Sequence, residues 1–207
     1  VGNKEKYELG KLNKIPLKIN KEYIEIENGV DMILFGEVEF FIDRENRKIL
    51  INKKNDDARI LFVGGNLQDW SIEFNDIRKS YTNDLQRFNN ELLTGCITML
   101  DMNVTNIDIK VFNAKCEDGI NLLRVNGLFN EIEIKNVKSD ALDADFSNLH
   151  FNKITINDAG NDCIDFSSGN YKVSNSFLYD CEDKAISVGE KSISSFNNVS
   201  ISNSNIG

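Results

Sequence analysis

One six-residue phrase recurs at a fixed interval: Glu117-Asp-Gly-Ile-Asn-Leu, Ser139-Asp-Ala-Leu-Asp-Ala, Asn161-Asp-Cys-Ile-Asp-Phe and Asp183-Lys-Ala-Ile-Ser-Val. Its aliphatic position falls at Ile120, Leu142, Ile164 and Ile186, each step being 22 residues. That step is too short for a pair of helices, so the units must stack and share one core, as in a solenoid.

Apolar columns extend the pattern back to Ile60. One reads Ile60, Ile97, Leu122, Ala144, Phe166, Val188; a second Leu67, Val104, Phe129, Phe151, Val173; a third Trp70, Ile107, Ile132, Ile154, Ser176; a fourth Ile72, Ile109, Ile134, Ile156, Leu178. All share steps of 37, 25, 22 and 22 residues. Each coil then holds three short strands, every one parallel to its copy about 4.8 Å away. The fold class is all-β, a single parallel β-helix.

Residues 1–57 alternate apolar and polar side chains in shorter bursts that do not share this phase, and predict an irregular N-terminal cap over the open end of the stack. Residues 58–207 are expected to be the coils, continuous with the cap, and the whole is expected to be part of a longer protein. Asn126, Asn148 and Asn170 also step by 22, which predicts a hydrogen-bonded asparagine ladder in a turn. The 37-residue coil carries its extra length at 78–95, just before a first strand; this excursion either walls a groove with Arg78, Tyr81 or Arg87, or is a solvated loop. After Val188 the register loosens, and the C-terminal end is expected to be covered by further chain or a partner.

The four cysteines, Cys96, Cys116, Cys163 and Cys181, form no CxxC pair and have no neighbouring histidine, so they make no zinc site. Their spacings of 20, 47 and 18 miss the 22-residue step, which predicts free, buried, apolar cysteines. The net charge of −9 excludes a nucleic-acid partner, which needs a basic stripe, and leaves neutral ligands, cations and basic surfaces. No run of about 18 apolar residues exists, so nothing is expected to span a membrane. No charged-then-apolar leader begins the chain, so the expectation is a processed or excised piece.

Two acidic columns run along one edge: Asp118, Asp140, Asp162 and the shifted Asp183, then Asn121, Asp143, Asp165 and Ser187. Adjacent coils place like charges about 5 Å apart, about 3 kcal/mol of repulsion at an effective dielectric near 20. Backbone donors, a shared proton or a bound cation must relieve it. Three readings follow: turn capping by the first column, a calcium site on Asp143 and Asp165, or carboxylate acid/base chemistry at glycosidase-like separations of about 5 Å or about 6.5–9.5 Å.

The phrases around Asp140, Asp162 and Asp183 resemble the repeats of right-handed parallel β-helix proteins of the pectin-lyase-like superfamily, over about residues 60–204. Such repeats serve lyases, hydrolases, epimerases and non-catalytic surface proteins, so the resemblance implies a fold and not an activity. Polygalacturonases are a narrower comparison: Lys138-Ser-Asp140-Ala and Gly160-Asn-Asp-Cys-Ile164 place Asp140 and Asp162 at catalytic carboxylate positions. Asn161 replaces a third carboxylate, Lys184 stands where a histidine would, and no Arg-Ile-Lys coil follows, which argues against galacturonan hydrolysis. His150, the sole histidine, reads as a surface or packing residue.

The function expected is binding or processing of a polysaccharide along the acidic edge, with Asp140 and Asp162 in acid/base roles and Asp143, Asp165, Lys184 and Arg87 contacting substrate. The alternative is a non-catalytic scaffold or protein-interaction domain whose aspartates cap turns; whether the chain is an enzyme stays open. No cofactor is required, calcium being the one candidate, and the expected location is extracellular or at the cell surface.

Overall fold

The computed structural model describes residues 21–78 and 87–207. Regular structure among them is all β: sixteen strands in one sheet system wound into a parallel solenoid of about seven turns.

The chain enters through antiparallel pairs. β1 (Lys21–Glu27) and β2 (Val30–Phe35) meet across Asn28-Gly29, both with positive φ, the signature of a two-residue hairpin turn. β3 (Val38–Asp43) pairs antiparallel with β4 (Lys48–Lys53). β5 (Arg59–Val63) lies antiparallel to β2; the short β6 (Asn66–Gln68) and β7 (Ser71–Asp76) follow. β4 is already parallel to β7, so regular stacking begins at Lys48, inside the segment read from sequence as the cap. Residues 1–20 of that cap lie outside the described residues.

β8 (Gly95–Phe112) and β9 (Asp118–Val137) each run round most of a coil. Later coils are divided into β10 (Asp140–Asp145), β11 (Asn148–Phe151) and β12 (Ile154–Ala159), then β13 (Ile164–Ser167) and β14 (Asn170–Lys184), then β15 (Ile186–Val188) and β16 (Ile193–Ile206). Single residues in the left-handed region turn the corners. One corner column is Asp101, Arg124, Phe146, Ser168 and Lys191, with φ between 51° and 59°; another is Asn113, Asn136, Asp158, Asp180 and Asn203. Asn and Asp tolerate that conformation through local side-chain hydrogen bonding, whereas bulky residues are strained in it.

Ile60, Ile97, Ile120, Leu142, Ile164 and Ile186 stack in one column. The step after Ile97 is thus 23 residues, and the 25-residue step read from sequence is two too long. Val104 faces Gly127, Ile107 faces Phe129, and Ile109 faces Ile132. A slip of two keeps every side chain on its face, so alternation does not detect it. Ser176 stands among the isoleucines of the third strand because its hydroxyl accepts the Ile154 N–H and donates to the Ser174 carbonyl, satisfying buried backbone.

The cysteines are paired, Cys96 with Cys116 and Cys163 with Cys181, which corrects the expectation of free thiols. Each bridge joins the start of a coil to the end of the same coil, so the partners never share a column and their spacing falls short of a full step. At the far end, among the described residues, β16 pairs with β14 alone. Val188, Ile193, Phe196, Ile201 and Ile206 are exposed there, while Phe166, Val173 and Leu178 one coil earlier are buried.

Candidate functional site: an acidic face on the first strands

The two acidic columns occupy different environments. Asp118, Asp140, Asp162 and Asp183 sit where the chain turns into each first strand. The Asp140 Oδ1 accepts the Asn161 amide at 2.7 Å and the Asp162 backbone N–H at 2.9 Å. The Asp162 Oδ1 accepts the Lys184 backbone N–H at 2.9 Å, and Lys184 Nζ lies 3.2 Å from Oδ2 and 2.7 Å from Asp183. These carboxylates do the work of turn caps, each tying its coil to the next. Burial raises the Asp140 carboxyl above its ordinary range, against the hydrogen bonds from Asp162 and Asn161.

Asp118 opens this column differently. It is 3% exposed and its Oδ2 has no hydrogen-bond partner among the described residues. Burial pushes its carboxyl up to about 7, with the Thr94 hydrogen bond opposing and the charge of Asp140 adding.

The second column faces outward in register: Thr98 beside Asn121, Asn121 beside Asp143, Asp143 beside Asp165, Asp165 beside Ser187. Asp145 continues the face two residues beyond Asp143 and lies beside Ser167. The Asp143 Oδ2 accepts the Asn121 amide at 2.8 Å. Burial pushes Asp143 up to about 8, and the charges of Asp118, Asp145 and Asp165 push the same way. Asp145 is raised by burial and by Asp165. Among the described residues no ion pair reaches Asp143, Asp145 or Asp165. Nor, among these residues, are three or more His, Cys, Asp or Glu side chains grouped to hold a metal ion.

Thr98, absent from the columns read in sequence, closes this face at its N-terminal end: it is 3% exposed, and its Oγ1 has no partner among the described residues. A Cβ built on Gly95 would stand 2.8 Å from that Oγ1 and 2.9 Å from the Asn121 Cβ, so the threonine hydroxyl lies close beside Asn121. The correct 23-residue step from Thr98 to Asn121 would have revealed it.

The excursion borders the same end. Arg87 pairs with Glu117 at 3.6 Å while its side chain stays 69% exposed, and Thr94 bonds Asp118. Arg78 turns inward to Asp76 and Asp56. Tyr81 lies outside the described residues.

On the neighbouring strand the asparagine ladder forms as expected, Asn148 donating to Asn126 at 2.9 Å and Asn170 to Asn148 at 2.7 Å. His150 lies between Leu128 and Lys172 in register, on the wall of a shallow groove of about 350 Å³. It is therefore a surface residue away from the aspartates.

No protein-family model matches the chain, and no curated protein or solved structure matches it. Among the described residues no helix is long and apolar enough to cross a membrane.

Proposed function

We propose that this solenoid is of the right-handed, pectin-lyase-like kind and binds or processes a polysaccharide along its acidic face. The observation that carries the reading is the in-register file Asn121, Asp143, Asp165, Ser187, which offers one oxygen-bearing side chain per coil with no cationic partner on the carboxylates among the described residues. An extended polymer laid along the solenoid axis meets such a file once per coil. Asp143 and Asp165 are its contacts. Arg87 is exposed at the N-terminal border, while Lys184 acts through Asp162 and Asp183. Asp140 and Asp162 are the acid/base candidates, and a cation such as calcium is the candidate bridge to an anionic chain. Two disulfides favour an oxidising compartment and support an extracellular or cell-surface location. The apolar side chains exposed on β16 support a covering element or partner at that end.

A second reading, a non-catalytic scaffold, is favoured by one observation: Asp140 and Asp162 are occupied as turn caps. A glycan array and a polysaccharide-degradation screen, each with and without calcium, separate the two. Asp143→Asn and Asp165→Asn abolish binding if the face is the site, and Asp140→Asn and Asp162→Asn abolish degradation at intact fold if they carry chemistry. Equal behaviour of all four variants and the wild type supports the scaffold.

A further inference from the structure

The acidic face differs from an ordinary solvated surface in what surrounds it. Asp143, Asp145 and Asp165 sit on two adjacent coils, and the charge of each neighbour is felt at Asp143. Elsewhere the chain neutralises such neighbours itself: Lys184 bridges Asp162 and Asp183, Arg124 holds Asp101, and Lys153 holds Glu131. Here among the described residues it does not. The buried atoms at the closed end are also short of donors. Among the described residues Thr98 Oγ1 and Asp118 Oδ2 both lack a partner, on residues 97% buried by their 3% exposure. Buried polar atoms without a partner call for an explanation.

The border of the face carries an exposed aromatic ring. Phe146 follows Asp145 at the corner, is 60% exposed, and holds φ at 52°. Its column equivalents are Asp101, Arg124, Ser168 and Lys191, all polar, so the corner has no need of an aromatic residue. An exposed aromatic ring next to a carboxylate is the combination that recognises an ammonium group, by charge from one side and by cation–π attraction from the other.

We propose that the acidic face recognises an amine-bearing polysaccharide, a polymer of sugars with free amino groups, its ammonium groups set against Asp145 and Asp165, the Asp143 carboxyl beside them as a hydrogen-bond partner, and a sugar ring against Phe146. This rests on the reading of the face as a glycan site and names the class of glycan. A metal ion is the lesser fit, because the carboxylates lie in file and are not grouped around one point. A basic peptide is also the lesser fit: the neutral residues Asn121, Ser167 and Ser187 flank the carboxylates and suit the hydroxyls that accompany each sugar amine.

The test measures binding of a glucosamine oligomer by calorimetry to the full chain, beside its fully N-acetylated counterpart, a neutral cello-oligomer and oligolysine. Expected are binding of the glucosamine oligomer alone among the glycans and its weakening as salt rises. Asp145→Asn, Asp165→Asn and Phe146→Ser should each weaken it about tenfold. Circular dichroism and thermal melts verify the fold of each variant, and Asp180→Asn, on a distant corner, should bind as wild type. Absence of glucosamine binding, equal binding of the N-acetylated oligomer, or indifference to the three substitutions overturns the proposal. Tighter binding of oligolysine with the same Asp dependence overturns it in favour of a basic peptide. Aspartate-dependent binding of only the neutral or N-acetylated oligomer overturns the amine class and leaves the glycan site standing; failure of every glycan overturns both.

Discussion

Asp162 and Lys184 are joined twice across one coil, by the backbone N–H of Lys184 on Oδ1 at 2.9 Å and by its Nζ 3.2 Å from Oδ2. A carboxylate 4% exposed and so occupied holds the turn of the following coil in place. Asp162→Ala removes the acceptor for a backbone donor and leaves the Lys184 amine on Asp183 alone, and is expected to cost about 1–3 kcal/mol. Asp162→Asn keeps one acceptor oxygen and should cost about half as much. Urea melts of the two variants check the order. An Asp162→Ala protein as stable as wild type would remove the capping role.

The raised carboxyls make stability depend on pH in a stated sense. Asp118 is pushed up to about 7 and Asp143 up to about 8 from 3.8, so the folded state favours their protonated forms. Their favourable contribution is complete below pH 3.8 and is lost as pH rises through 7 and 8. Lys53 acts oppositely: burial pushes it down to about 6 from 10.5, so its contribution improves as pH rises above 6. The wild-type profile therefore mixes both. The difference between wild type and Asp143→Asn isolates one term, and chemical denaturation at pH 5 and pH 8.5 should show the variant gaining on wild type by about 1–3 kcal/mol at the higher pH.

Much of this fold was legible because its core residues repeat. The step from Ile120 to Ile186 and the ladder from Asn126 to Asn170 appear in the structure as the sequence sets them out. The two-residue error between Ile97 and Ile120 has a clear origin. Side chains alternate with period two, so Leu122 is as acceptable a partner for Ile97 as Ile120. Gly127 then interrupts the column that would have fixed the register: a Cβ there would come 1.8 Å from the Val104 carbonyl oxygen, so the position admits only glycine. The aspartates were legible as positions and illegible as environments. Asp140 and Asp143 lie three residues apart in one phrase, yet one accepts a backbone N–H and the other faces outward between Asn121 and Asp165. Only the path of the turn decides which.

The bridges that sequence spacing concealed should be measurable. Each closes a short loop, with separations of 20 and 18 residues, and loops of this length stabilise by about 3 kcal/mol through restriction of the unfolded chain. Reduction, or the double substitution Cys163→Ala with Cys181→Ala, is expected to lower the midpoint of unfolding accordingly. Peptide mapping without reductant should recover Cys96 with Cys116 and Cys163 with Cys181. Recovery of either crossed pairing would contradict the path of the coils.

Phe146 links stability to recognition. A bulky residue at φ 52° is strained, and its ring is 60% exposed, so the fold gains little from it. Asparagine tolerates the left-handed conformation and already serves at the corners formed by Asn113, Asn136 and Asn203. Phe146→Asn is therefore expected to raise stability by about 1 kcal/mol, a rise of about 2–4 °C in Tm for a chain of this length. If the ring is kept for an amino sugar, the same substitution weakens glucosamine-oligomer binding while the protein becomes more stable. Strain held at a surface position for the sake of a ligand leaves that pairing of effects. Loss of both stability and binding would instead assign Phe146 to the packing of its corner, and calorimetry beside thermal melts on the one variant distinguishes the two.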